Sequence, residues 1–270
     1  MPFPRSEKVI YQKPPLGEAI CQLRFPANLR IEAQPPIDFQ DAVGELFPIY
    51  KQESQPKIER QVFESLGSQI ELPMSRAHRF ETGDGQSFLT LAKDFIAMTA
   101  LGDSYERWRA FKERLSHVVG ALERLYSPAF YTRIGLRYRN VIVREKIGLK
   151  GTNWSDLLPD YIAGELGRDE LRDHIYGRGV EITIKLDSDA REPTPNGKPS
   201  FITLRHALGT LKDDPKIAAF LIDMDLYNDG RTEKSDAFER LDEFNDKAAR
   251  AFRWSIGDRL HDALEPRSAD

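Results

Sequence analysis

Two long stretches of this chain carry their apolar residues on one side only. In the first, Tyr105, Trp108, Phe111, Leu115, Val118, Val119, Leu122 and Leu125 recur at three- and four-residue steps. In the second, Phe238, Leu241, Phe244, Ala248, Phe252, Ile256, Leu260 and Leu264 do the same. Each stripe predicts an amphipathic helix that is stable only when the stripe is covered. Ser104 is the expected N-cap of the first helix, and Ser127-Pro128 ends it. The second is expected to run unbroken from Ser235 to Leu264 and to stop at Pro266. A chain with two such helices needs broad apolar surfaces to lay them on.

Those surfaces are written as short β-rich runs. After Pro14-Pro15 a first strand is expected over residues 17–25, because the residue before a proline is pushed to extended geometry. LRIEA, closed by Pro35-Pro36, reads as a short extended piece, and DFQDAVGELFPIYKQ as a helix ended early by Pro48. ERQVFES, SQIELP, HRFETG, SFLTLA and FIAMTA read as a meander, with ETGDGQS as a hairpin turn. YTRIGLRYRN predicts a strand continuing through VIV. NWSDLLPDYIAGELG and RDELRDHIY read as broken helix, followed by the strands GVEITIKLD, SFITLRHAL and KIAAFLIDMDLY. SDAREPTPNGKPS, between the first two of these, has the composition of a mobile loop. Strands followed by a long helix thus occur twice. The expected fold is α+β: an antiparallel sheet from two structurally related halves, residues 1–150 and 151–270, with two long helices packed on it, the halves separate or continuous. The regular strand–helix alternation of a parallel doubly wound sheet is absent.

Charge divides unevenly between these halves. Residues 1–150 hold 22 Lys+Arg against 18 Asp+Glu, whereas residues 151–270 hold 17 against 25. Halves of net +4 and −8 can dock on one another, and the total of −4 is that of no general nucleic-acid binder. A single cysteine, Cys21, excludes an internal disulfide and points to a reducing compartment, with Cys21 itself a small buried hydrophobe. The opening MPFPRSEKVIYQKPP lacks the apolar core of a signal peptide, and no run is apolar enough to span a bilayer. The expected location is the cytoplasm, without membrane contact.

Motifs of catalysis are missing. GxSxG, HExxH, CxxC, the Walker phosphate loop and GxGxxG do not occur, which argues against NTP hydrolysis and dinucleotide redox chemistry. No cofactor is expected. The five histidines form no i, i+4 pair, and Asp173-His174 beside a Gly-rich turn is a weak candidate. In FLIDMDLYND, Asp223 and Asp225 share one face of a strand, and a neighbouring strand offers His206. Two carboxylates and an imidazole can hold a divalent ion in a metal-dependent hydrolase or nuclease. The plainer reading is a strand with Ile222, Met224 and Leu226 inward and acids on the solvated side. Trp108, Trp154 and Trp254 read as core packing.

One strand carries most of the functional uncertainty. In YTRIGLRYRN, period-two alternation puts Tyr131, Arg133, Gly135, Arg137 and Arg139 on one face. Arginine forks bind phosphates, tyrosine stacks on bases, and Gly135 leaves room for a close approach. The same face can equally be solvated, or half of an internal ion-pair layer against Asp236, Glu239, Asp242, Glu243 and Asp246 of the last helix.

YQKPPLGEAICQLRFP, FLTLAKDFIAMTALGDSYERWRAFKERL, RIGLRYRNVI, LLPDYIAGEL and WSIGDRLHDALEP together resemble a sporadically distributed family of uncharacterised prokaryotic proteins of about this length. The likeness runs over nearly the whole chain. It carries no assigned activity and so no catalytic residues. Patchy distribution implies a horizontally mobile gene, of the kind found in defence or toxin–antitoxin cassettes. The expected function is a non-enzymatic binding or regulatory component acting through a protein or nucleic-acid partner. The alternatives are the hydrolase or nuclease above and a self-assembling scaffold, a homo-oligomer.

Overall fold

In a computed structural model, which describes residues 2–53, 77–172, 174–186 and 199–268, the chain is an α+β molecule built on a large antiparallel sheet. In chain order the elements are β1 (Val9–Tyr11), β2 (Leu16–Arg24), α1 (Leu29–Ala33), α2 (Ile37–Val43), β3 (Ile49–Glu53), β4 (Ala77–Glu81), β5 (Ser87–Ala92), β6 (Phe95–Leu101) and α3 (Trp108–Tyr126). Then follow β7 (Tyr131–Ile142), α4 (Asp160–Ala163), α5 (Asp169–Arg172), β8 (Arg178–Lys185), β9 (Ser200–Thr210), β10 (Ala218–Thr232), α6 (Ala237–Ser255), α7 (Asp258–Ala263) and β11 (Pro266–Ser268). Among the described residues nine strands form one sheet in the order β3-β4-β5-β6-β2-β7-β10-β9-β8, and β1 pairs with β11 apart from it. The runs ERQVFES, SQIELP and most of SDAREPTPNGKPS lie outside the described residues, as does Asp173.

The helices cover one sheet face. Leu136, Ile222, Met224, Ile202, Leu204, Met98, Leu89 and Leu23 point to that face and join the stripes of α3 and α6 in one core. Phe111, Leu115 and Leu122 of α3, and Leu241, Phe244 and Ala248 of α6, are its helical half. The stripe thus specifies each helix and the alternation in β2, β7, β9 and β10 specifies what it lies on. On the other face, Ile20, Ala77, Ala92, Phe95 and Ala97 form one apolar cluster, and Val143, Ala207, Ala219 and Leu221 another. A band of charge lies between them.

Three expectations are corrected. LRIEA is helix α1, because the Asn28 side chain accepts from the Arg30 N–H and caps it. Ser104 closes a short 3-10 turn, and α3 begins at Trp108. The final helix breaks at Ile256-Gly257, where the Gly257 N–H donates to the Leu157 carbonyl at 2.8 Å and α7 starts anew.

Candidate functional site: a charged band and an open edge strand

β7 is central, paired with β2 on one side and β10 on the other. Antiparallel partners share a face, so its arginines meet acids from both neighbours. Arg139 stands opposite Asp223 and Glu18, Arg137 opposite Asp225, and Arg133 opposite Asp229. The side chains lean along the strands. Arg137 donates Nε to Asp223 Oδ1 at 2.7 Å and Nη2 to Oδ2 at 2.6 Å, a bidentate fork. Arg139 Nη1 donates to Glu18 Oε2 at 3.1 Å, and its Nε lies 3.9 Å from Asp223. Arg205 of β9 adds a third cation, 3.6 Å from Asp223. Asp223 is 1% exposed and Glu18 fully enclosed, and Arg137 and Arg139 are buried. Burial raises the Glu18 carboxyl above its ordinary range, opposed by Arg139, and its Oε1 has no hydrogen-bond partner among the described residues.

The arginine face is therefore an internal ion-pair layer, made with acids of strands. Asp236, Glu239, Asp242, Glu243 and Asp246 were the partners offered by one of the alternative readings, but α6 packs on the opposite face of β7. Asp242 instead takes Lys112 and the Trp108 indole N–H, Asp246 takes Lys8 and Arg250, and Glu243 takes Arg240 and Lys247. Nor does Gly135 admit a ligand. Arg133 folds across it, so that a Cβ there would meet Arg133 Nη1 at 2.5 Å. Arg133 is held by Gln22, Asp225 and Asp229 and lies over the Tyr227 ring. Tyr131 leaves the arginine face altogether. It sits in the helix-side core and donates its hydroxyl to Glu123 of α3 at 2.7 Å, next to a register shift between β7 and β10.

The metal triad does not assemble. His206 stands opposite Ile222, one residue off Asp223, and so points to the helix face while both aspartates point away from it. There it stacks on Phe220, with its Nε2 buried and without a partner among the described residues. Burial lowers its pKa to about 4, with Arg178 acting in the same direction. Among the described residues no group of three or more His, Cys, Asp or Glu is placed to hold a metal ion. Cys21 is free and buried, and burial pushes its thiol up.

A cavity of about 500 Å³ lies where the N-terminal segment crosses α6, lined by Arg5, Glu7, Tyr161, Arg250, Arg253 and His261 among others. Its deeper guanidiniums are braced within the chain. Arg250 pairs with Asp246, and Arg253 donates to the Ile256 carbonyl and to Asp258. A neighbouring groove has at its base a relay from Tyr105 to Tyr138 to Asn245.

The feature that sequence reading passed over is β8. It closes the sheet at the β9 side, and among the described residues nothing pairs with its outer edge. Its residues alternate between apolar and polar, and Val180 is 36% and Ile182 37% exposed. Just before it, Tyr176 is 92% exposed. A long edge strand with open backbone and uncovered apolar side chains is a template for strand addition. No protein-family model matches the chain, and no curated protein matches it. No helix among the described residues is long and apolar enough to cross a membrane.

Proposed function

We propose that this chain is a non-enzymatic binding or regulatory component that acts through a protein partner, in the cytoplasm, and that it belongs to a horizontally mobile cassette of the defence or toxin–antitoxin kind. The observation that carries the binding reading is the β8 edge, unpaired among the described residues, with Val180 and Ile182 36% and 37% exposed. The cassette rests on the family resemblance alone. A protein partner is favoured over nucleic acid because Arg137 and Arg139 are buried in ion pairs with Asp223 and Glu18, and Tyr131 is in the core. A phosphate backbone would have to displace those acids. We also read the halves as structurally related: the β3–β6 meander and α3 follow β2, much as β8–β10 and α6 follow β7.

The test compares wild type with a Val180→Lys/Ile182→Lys variant, using the proteins encoded beside it as bait and prey. The expected result is loss of partner capture with the melting temperature retained, since both side chains are on the surface. Capture unchanged in the variant would refute the edge as the binding surface. In parallel, salt-dependent binding of duplex and single-stranded DNA and RNA is expected to be absent. Steep salt dependence of such binding would move the reading to nucleic acid.

A further inference from the structure

The β8 edge has a property that decides among partners: it is complementary to itself. β8 and β9 are in register with Lys185 opposite Phe201, and the Leu186 N–H donates to the Ser200 carbonyl at 2.8 Å. That bond fixes the phase of the ladder, because backbone groups of alternate residues point to opposite sides of an antiparallel strand. Ile182, Ile184 and Leu186 direct theirs to β9. Gly179, Glu181, Thr183 and Lys185 direct theirs outward, to the open edge.

A second β8 arriving antiparallel about a two-fold axis must match outward residues to outward residues. Three axes fit the middle of the strand. An axis through Glu181 sets Glu181 against Glu181, a like-charge clash. An axis through Ile182 sets Glu181 against Thr183 and leaves Lys185 opposite Gly179. An axis through Thr183 sets Glu181 opposite Lys185 twice, Ile182 opposite Ile184 twice, and Val180 opposite Leu186. Only the last register matches charge with charge and apolar with apolar on both faces. It also extends an existing row, because Arg205 of β9 already pairs with Glu181, so the charges alternate across the new seam. The exposed Val180 and Ile182 would be covered from the side that the sheet leaves open.

We infer that the partner at this edge is a second copy of the chain, and that β8 joins β8 antiparallel about a two-fold axis through Thr183 to make one sheet across both copies. This rests on reading the β8 edge as the interaction surface. A C2 contact of this kind is closed and stops at two copies.

The position of the axis makes the test specific, because Thr183 faces itself. The full-length Thr183→Cys variant is expected to form a disulfide-linked dimer under mild oxidation, seen on a non-reducing gel, with Cys21 buried and unable to compete. Light scattering on the wild type should give twice 30.9 kDa. Glu181→Lys should shift it to the single mass by setting Lys against Lys185, and Glu181→Lys/Lys185→Glu should restore the dimer. A wild type that stays at the single mass at the highest soluble concentration overturns the inference. So does a dimer that neither cross-links at position 183 nor responds to the charge swap. The two readings fail separately: a monomer whose Val180→Lys/Ile182→Lys variant still loses a different protein leaves the edge in place and removes only the second copy. Thermal melts of every variant separate lost pairing from lost fold.

Discussion

At the level of single residues, the molecule depends on one aspartate. Asp223 accepts both arms of Arg137 and lies within 4.0 Å of Arg139 and Arg205, at 3.9 and 3.6 Å. Replacing it with alanine takes the forked carboxylate from buried Arg137 and a nearby anion from Arg139 and Arg205, and breaking comparable buried pairs costs about 3–5 kcal/mol. Urea unfolding of Asp223→Ala should show that loss, and a cost under about 1 kcal/mol would mean that water reaches the band. His206 acts in the opposite sense, as a base kept neutral. Its folded pKa of about 4 lies below the ordinary 6.5, so the unfolded chain takes the proton first. Stability is then full above the ordinary value and is lost as pH falls toward the folded one. Between about pH 7 and pH 5 this one group should remove about 2 kcal/mol. His206→Phe, which retains a ring against Phe220, should flatten that part of the pH–stability curve, and an unchanged curve would place the acid sensitivity elsewhere. Much of this was legible in the residues: alternation put Arg133, Arg137 and Arg139 on one face, as found. It could not name their partners, because register decides that, and a one-residue offset is what sends His206 to the other side of the sheet from Asp223.

Among the elements, the long stripes and the strands bordered by Pro and Gly were readable, since period and punctuation are local signals. β2, β5, β6, β7, β9 and β10 fall close to where the pattern places them. The misses are tertiary. LRIEA has an N-cap whose value shows only when Asn28 turns its side chain back to Arg30. The stripe of the last helix continues in phase through Gly257, so no periodicity reveals the break. Its cause is the approach of the 154–158 turn. A Cβ on Gly257 would lie 3.0 Å from the Leu157 oxygen and 3.2 Å from its carbonyl carbon, both backbone atoms. Gly257→Ala should therefore push the turn and α7 apart and cost about 1–3 kcal/mol, as overpacking does. A melting temperature equal to wild type would show that the two segments separate without penalty. β8 falls where GVEITIKLD was read as a strand; what no local signal reveals is its place at the end of the strand order, with one neighbour among the described residues.

For the molecule as a whole, the opposite charges of residues 1–150 and 151–270 are used in contacts that cross residue 150. Arg137 to Asp223, Arg133 to Asp225 and Asp229, Lys112 to Asp242 and Lys8 to Asp246 all join one side to the other. The backbone crosses there too, because β7 is bonded to β2 on one edge and to β10 along nearly its whole length on the other. A cut after residue 150 would strip β7 of β10, expose the helix-side core under α6, and take Asp223 from Arg137. Each of these is destabilising alone, and domains carry only about 5–15 kcal/mol in total. The fragment 1–150 is thus expected to remain unfolded or to aggregate through the bared edge of β7. In the intact chain, Trp108 on one side of the line and Trp154 and Trp254 on the other should report the same transition. Single-tryptophan variants followed by fluorescence, beside far-ultraviolet circular dichroism, would check it. Coincident curves mean one cooperative unit held by β7, and a fragment 1–150 that melts cooperatively on its own would show instead that the sheet is two separable folds joined at a seam.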